Sequence, residues 1–208
     1  MKKFISFEGG EGAGKTTQII KLSECLKKNR IEVFLTREPG GNDSSERIRK
    51  LILTKNDLFL PESELLLICA ARHEHIKKTL LPNLKKRVVI CDRFVHSTIC
   101  YQVLTNKIPL HIFKYLHRHF SQNLFPDITF YIDISPKIGV KRANKKNKFE
   151  FKNMTFHKNI RKYFLNLSSR EKKIIKIDGS MTKNDIHKKI VEILNKLNFF
   201  GKKIHEFR

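Results

Sequence analysis

The sequence is poor in the features that mark secreted, membrane-spanning or metal-clustered proteins. Its 208 residues hold four cysteines, Cys25, Cys69, Cys91 and Cys100, with no C-x-x-C pair among them. That spacing argues against a disulfide framework, and since Cys25, Cys69 and Cys91 lie in apolar runs they are expected to be buried free thiols of a reducing compartment. No apolar run approaches the ~20 residues that span a bilayer. The first strand begins at Phe4, which leaves the expectation of no signal peptide and a cytoplasmic location. Acidic residues are scarce too, 20 Asp and Glu against 43 Lys and Arg, so the chain carries +23. Such a balance suits polyanionic partners. Yet there is no Gly/Ser/Arg-rich tail and no basic stripe interleaved with aromatics, so nucleic acid is not the expected ligand; a phosphate-rich small substrate needs only a local positive site. No internal repeat or linker divides the chain, and one domain over 1–208 is expected.

What the sequence does contain is organised around one stretch, Phe4-Ile5-Ser6-Phe7-Glu8-Gly9-Gly10-Glu11-Gly12-Ala13-Gly14-Lys15-Thr16-Thr17. A short apolar strand runs into glycines and a helix opens at the lysine, and Gly9 to Thr16 fit G-x-x-x-x-G-K-[ST] without a mismatch. Glycines let the backbone turn with φ > 0 and come close to an anion, so that successive N–H groups point into one concavity. Lys15 would then reach the β- and γ-phosphates of a nucleotide, and the Thr16 hydroxyl would ligate Mg²⁺. The positive end of the helix adds to the same field. The stretch predicts a nucleotide-phosphate site.

Glu32 to Thr36 predicts a second strand, ending in the turn Arg37-Glu38-Pro39-Gly40-Gly41. Asp43, with Glu46 three residues on, predicts a helix N-cap and its capping partner. Pro61 suits the first position of the next helix. Leu65 to Ala71 is apolar nearly all round, so this helix should be largely buried, and Arg72 at its end requires a partner. His73 and His75 are expected on the solvated side. Val88 to Cys91 reads as a strand covered on both faces. Asp92 at its end fits a Walker-B-like role near Mg²⁺, and Arg93 offers a planar fork for phosphate oxygens. Pro109 to Phe120 predicts an amphipathic helix with His111, His117 and His119 at the surface. Asp127 to Ile134 and Lys173 to Ile177 predict strands four and five, Phe156 to Leu167 a helix, and Thr182 with Asp185 the cap of a last one. The basic run from Lys141 to Lys148 predicts a mobile lid, about 142–153, and Phe199 to Arg208 a ragged tail. Five short strands alternating with helices predict an α/β fold, a five-stranded parallel sheet with helices on both faces and its chemistry at the strands' carboxyl ends.

Several stretches occur together that are more specific than the phosphate loop: Thr36-Arg37-Glu38-Pro39-Gly40-Gly41, Ile48-Arg49-Lys50, Ala70-Ala71-Arg72, Asp92-Arg93-Phe94, Ser97-Thr98-Ile99-Cys100-Tyr101-Gln102 and Pro126-Asp127-Ile128-Thr129. In order and spacing, across almost the whole chain, they closely resemble thymidylate kinase of the bacterial type. The resemblance implies the P-loop nucleoside monophosphate kinase fold with a short lid, and ATP- and Mg²⁺-dependent phosphorylation of dTMP to dTDP by a homodimeric, cytoplasmic enzyme with no membrane partner. It implies ATP binding by Gly9, Gly10, Glu11, Gly12, Ala13, Gly14, Lys15, Thr16 and Thr17, with Arg142 near the adenine and Thr16 and Asp92 on the metal. Arg49 and Arg93 would grip the dTMP phosphate, while Arg72, Thr98 and Gln102 would address the thymine edge. Pro39 would pack on the nucleotide, Tyr101 would crowd the 2′ position, and Glu11 would face the 3′-hydroxyl or a metal-bound water. Catalysis would fall to Lys15, Asp92, Arg93 and a lid cation, Lys148. Three positions depart from the family's pattern: Ile68 stands where many members have Phe, Lys148 where a lid arginine is common, and Lys152 and Asn153 where relatives are acidic. On the residues alone, a phosphotransferase for another nucleotide, or a P-loop ATPase that switches DNA binding, stays open.

Overall fold

A strand that is apolar on both faces is stable only when helices cover both sides of it. Strands β1 (Phe4–Glu8), β3 (Val88–Asp92) and β4 (Ile128–Asp133) are of this kind and almost wholly buried. The more exposed β2 (Val33–Arg37) and β5 (Ile174–Asp178) close the two edges. The computed structural model, which describes residues 2–54, 58–143 and 148–206, joins them into a parallel five-stranded sheet of order β2-β3-β1-β4-β5. The described helices are α1 (Lys15–Lys28), α2 (Asp43–Ile52), α3 (Pro61–His75), α4 (Leu81–Leu84), α5 (Val95–Thr98), α6 (Leu110–Phe120), α7 (Pro136–Arg142), α8 (Met154–Arg170) and α9 (Lys183–Lys196). A π-helical turn, Ile76–Leu80, joins α3 to α4, and another, Ile99–Leu104, extends α5.

On one face of the sheet Ile5, Phe7, Ile90, Phe130 and Ile132 pack on Leu22 and Leu26 of α1 and Ile190 and Leu194 of α9. On the other, Phe4, Val89 and Cys91 meet Leu65, Ile76, Leu80, Val103 and Phe113. A smaller cluster lies under α8, where the Phe164 and Tyr131 rings stack at 5.0 Å. All four cysteines are buried and unpaired. The chain leaves β1 toward β2 on one side and later crosses to β4 on the other, so a crevice opens at the carboxyl end of β1. The pairings Phe7↔Asp92 and Arg37↔Asp92 bring the carboxyl ends of β1, β2 and β3 to that crevice.

Helix ends follow the expected chemistry at Pro61, in the first turn of α3, and at Thr182, whose hydroxyl accepts the Asp185 N–H at 3.2 Å. Elsewhere partners remote in sequence change the outcome. Asn42, not Asp43, caps α2: its extended backbone lets Oδ1 accept the Ser45 N–H at 3.0 Å, and Glu46 turns back to Arg37 and the Gly41 N–H. Helix α3 is apolar nearly all round but buried on one side only, leaving Leu66 and Ala70 exposed. His75 and His117, expected at the surface, are both buried. The stretch expected to be a ragged tail is docked as far as it is described. The Asn195 amide both donates to and accepts from the backbone of Ile204, at 2.8 Å each, and the Asn29 amide does the same with His205 at 2.9 Å. These two side chains take the place of a strand partner, and Ile204 fills a gap in the core beside α9.

His117 has a consequence for acid stability. Its Nε2–H donates to the Leu124 carbonyl at 2.9 Å and its ring stacks on Phe113 at 5.6 Å. Burial, helped by the Arg72 guanidinium, pushes its pKa down to about 4. The unfolded chain therefore binds a proton here near pH 6.5 that the native state refuses until about pH 4. Stability contributed by the neutral ring is present above pH ~6.5 and lost as the pH falls through this window. Urea unfolding of the wild type and His117→Phe at pH 7 and pH 5 should show the variant gaining about 2 kcal/mol relative to wild type at the lower pH. An unchanged difference would mean that the native state accommodates the imidazolium.

Candidate active site

At the phosphate end the loop from Gly9 to Gly14 is drawn tightly over the end of β1. Gly12 has φ 66°, and a Cβ there would lie 2.0 Å from the Gly139 carbonyl oxygen, so only glycine lets α7 close on the loop. Lys15 is buried, with its ammonium on the carbonyls of Gly9 at 3.2 Å and Gly10 at 3.0 Å. Burial, then the nearby Arg93 charge, lowers its pKa. The Thr16 hydroxyl donates to Asp92 Oδ2 at 3.0 Å. Two hard oxygen ligands thus sit at the mouth of the loop, as few protein donors as Mg²⁺ usually takes alongside phosphates.

Arg93 is the hinge of this end. Its backbone lies in the left-handed region, φ 66°, at a cost of roughly 1–2 kcal/mol for a non-glycine residue. The conformation is held by its N–H on the Phe7 carbonyl at 3.0 Å, and it sends the side chain across the loop. There Nη1 donates to Gly9 O at 3.0 Å and to the Ser97 hydroxyl at 3.2 Å, Nη2 donates to Glu11 at 2.8 Å, and the guanidinium lies over the Tyr101 ring at 5.0 Å. Tyr101 donates to the same Glu11 oxygen at 3.1 Å. Burial would raise the Glu11 pKa, but Arg93 and Lys15 reverse this and hold it below the usual range. Behind the loop the buried Glu8 accepts the N–H groups of Phe94 at 2.8 Å and Ser97 at 3.2 Å, fastening the end of β1 to the start of α5.

At the other end a buried chain of polar groups runs from β2 to α5. The Thr36 hydroxyl bonds His75 Nε2 at 2.7 Å, His75 Nδ1 bonds Glu38 Oε1 at 2.9 Å, Glu38 Oε2 accepts from Arg72 Nε at 2.8 Å, and Arg72 Nη2 donates to Thr98 at 2.7 Å. Arg72 is 2% exposed, lies over the Phe94 ring at 5.0 Å, and leaves Nη1 buried without a partner among the described residues. A buried donor with nothing to bind is an invitation to a ligand acceptor. Burial would raise Glu38, but Arg72 and His75 outweigh it and keep the carboxylate ionised. Arg49 reaches back from α2 toward the phosphate end, near enough to feel the charges of Arg93 and Asp92, with Nη1 on the Pro39 carbonyl at 2.6 Å. Thr98 and Gln102, like Ser97 and Tyr101, are spaced i, i+4, so α5 and its π extension aim all four side chains at the cleft.

These two ends bound one cleft of about 930 Å³. Every site residue expected from the sequence lines it except Gly9, Gly10 and Lys148. The two glycines lie in the turn below, contributing carbonyls to Lys15 and Arg93. Lys148, expected as a cation on the transferred phosphoryl group, is instead buried in an ion pair with Glu64 of α3, because a carboxylate removed from water requires a counter-charge. Lys145, Lys146 and Asn147 of the expected lid lie outside the described residues. Sequence reasoning assigns no role to Glu64 and His75 as parts of the site, and it places Glu8 at the carboxyl end of β1 without its bonds to α5. Only Glu64 carried a signal: with Ile68 and Arg72 it recurs every fourth residue, the spacing of one helix face.

The profile of the family described as Thymidylate kinase matches residues 7–190. The chain is 42% identical over 204 residues to the thymidylate kinase of Orientia tsutsugamushi (strain Ikeda), covering 93% of each. It is 43% identical over 195 residues to that of Wolbachia pipientis wMel, covering 91% of this chain and 98% of the relative. Against that of Rickettsia africae (strain ESF-5) the identity is 42% over 172 residues, 81% of this chain and 84% of the relative.

The buried chain through Glu38 should matter far more to stability than the ion pairs at the rim. Glu38→Ala strands the Arg72 guanidinium in the interior and should cost about 3–5 kcal/mol. Arg37→Ala, which removes a half-exposed pair with Glu46, should cost less than about 1 kcal/mol. Denaturant unfolding of both variants checks this; equal, small losses would show that Arg72 finds water or another acceptor.

Proposed function

The chain belongs to the thymidylate kinase family, whose activity is the ATP-dependent phosphorylation of dTMP to dTDP, and from that premise we propose that it works by direct in-line transfer between two nucleotides held end to end in the one cleft. The observation that carries this reading is the convergence of Lys15, Arg49 and Arg93 on one end of a cleft whose other end holds the unpartnered Nη1 of Arg72. The loop from Gly9 to Thr17 receives the phosphates of ATP, with Lys15 released from the Gly9 and Gly10 carbonyls to neutralise the transferred group. Arg142 lies along the adenine. Arg49 and Arg93 hold the phosphate of dTMP, and Pro39 packs on the nucleotide with Ile68 as the apolar wall of the base pocket. Arg72, Thr98 and Gln102 address the thymine edge, while Tyr101, fixed by Glu11, crowds the 2′ position and favours deoxyribose. Glu11 itself faces the 3′-hydroxyl or a metal-bound water.

Thr16 and Asp92 would hold Mg²⁺, which would supply positive charge to offset that of the phosphates. The chain's own contribution is alignment and charge: the acceptor oxygen of dTMP is brought in line with the γ-phosphorus, and no covalent intermediate on the protein is needed. The raised pKa of Arg93, in which Glu11 and Tyr101 more than offset the effect of burial, keeps that guanidinium charged throughout. Four buried free thiols support a reducing, cytoplasmic location, and no described helix is long and apolar enough to cross a membrane. We also propose a homodimer. Helices α3 and α6 lie against each other, and both leave large apolar side chains uncovered, Leu66 on the first and Ile112, Tyr115 and Phe120 on the second.

An ADP-release assay with dTMP, dUMP, UMP, dCMP, dGMP and thymidine should rank dTMP first and dUMP behind it, with little hydrolysis when no acceptor is present. A clear lead for UMP or dCMP would overturn the thymine assignments. Arg93→Ala should lower kcat by about a hundredfold or more with the circular dichroism spectrum kept; a collapse of the melting temperature instead would make it a structural arginine. In sedimentation velocity the wild type should run as a dimer and Leu66→Asp with Tyr115→Asp as a monomer. A monomeric wild type would remove the dimer from the proposal.

A further inference from the structure

Glu64 lies behind the base end of the cleft, on α3, two helical steps of four before Arg72. Its Oε1 accepts the Gln102 Nε2–H at 2.8 Å, and its Oε2 is paired with the Lys148 ammonium. All three side chains are buried, Glu64 at 7% exposure, Gln102 at 3% and Lys148 at 4%, so water does not compete for these bonds. We infer that Glu64 is a positioning residue: it fixes the orientation of the Gln102 amide and thereby makes the pocket select a 4-oxo over a 4-amino pyrimidine. The inference rests on the proposed reading that Arg72 and Gln102 face the base.

The argument is one of donors and acceptors. An ionised carboxylate can only accept, so the amide must turn its NH₂ to Glu64. The Gln102 oxygen is then carried to the opposite side, and Gln102 lines the cleft. Arg72 contributes a donor to the same floor, the Nη1 that has no partner among the described residues. One acceptor beside one donor matches the N3–H and O4 of thymine or uracil. Cytosine carries the reverse pattern, a bare N3 and a 4-amino group, and would set acceptor against acceptor and donor against donor. An amide alone gives no such discrimination, because it can rotate half a turn and exchange its two ends. Lys148 completes the device: by pairing with Oε2 it holds the buried carboxylate in place, so that Oε1 stays turned toward the Gln102 amide. Lys148 thus acts in the base pocket, through Glu64.

The test is the ratio of kcat/KM for dCMP to that for dTMP. Glu64→Gln gives Gln102 a partner that both donates and accepts, and the ratio should rise about tenfold or more, chiefly through a lower KM for dCMP. Lys148→Met, which leaves Oε2 without that partner and lets the carboxylate turn away from Gln102, should raise it too, whereas Lys148→Arg, which keeps the ion pair, should leave it low. Lys148→Met supplies the answer should Glu64→Gln fail to fold. If the wild type favours dTMP and dUMP over dCMP and every folded variant keeps the ratio within about twofold, Glu64 is merely structural and the inference is wrong. If the wild type itself does not disfavour dCMP, the failure lies earlier, in the reading of Arg72 and Gln102 as the groups that face the base.

Discussion

Buried positive charge must be backed by a carboxylate, and the cleft is built on that requirement. Arg93 is backed by Glu11, Arg72 by Glu38 and Lys148 by Glu64, each at or inside hydrogen-bond distance, the last two pairs buried and the first half-buried. In the low dielectric of an interior a lone guanidinium would be prohibitive, while a pair with its remaining hydrogen bonds satisfied is sustainable. The three carboxylates come from the phosphate loop, from the turn after β2 and from α3. Each pairing therefore ties a separate part of the chain into the same cleft, and the shape of the site and the compensation of its charge become one problem.

The sheet supplies the rigid side of this arrangement. Glu8, Arg37 and Asp92 are the last residues of β1, β2 and β3; the parallel register sets Arg37 and Asp92 level with Phe7 and puts Glu8 one residue beyond them. Glu8 then binds the first N–H groups of the α5 segment, so the end of one central strand fixes where the helix after another begins. The left-handed backbone of Arg93 sits between these anchors, where the surrounding bonds over-determine it. Strain at this residue buries nothing by itself. It aims a guanidinium across a loop that could not otherwise be spanned from β3.

How much of this was legible in the sequence follows from how far apart the partners lie. The phosphate loop was legible because motif, strand and helix are contiguous, and Asp92 and Arg93 because they end an unbroken apolar run. Arg49, Arg72, Thr98 and Gln102 were reached through a family resemblance, since nothing local distinguishes them from other polar residues. His75 was misjudged because its burial is decided by Glu38, which only the fold brings near, and His117 because its carbonyl partner lies beyond the end of its own helix. The final residues lack periodicity, yet Asn29 and Asn195 clamp them by side-chain amides that no pattern reveals. Lys148 is paired with Glu64, a neighbour that nothing local to the basic run reveals, because the two are brought together only by the fold.

The same comparison shows why the net charge says little about the ligand. The chain carries +23, yet the residues lining the cleft include six cations, Lys15, Arg37, Arg49, Arg72, Arg93 and Arg142, against five acids, Glu11, Glu38, Glu46, Asp92 and Glu150. Nearly all of the excess lies elsewhere, where it can steer an anion toward the protein but cannot hold it in register. Within the cleft, an incoming group gains only where a donor is unpartnered or can be exchanged. Among the described residues those places include the lysine resting on its carbonyls, the guanidinium groups of Arg49 and Arg93, and one nitrogen of Arg72. On the proposed reading phosphates would meet the lysine and the first two guanidinium groups and the edge of a base would meet Arg72, so the spacing of donors, rather than the sum of charges, would decide what the cleft accepts.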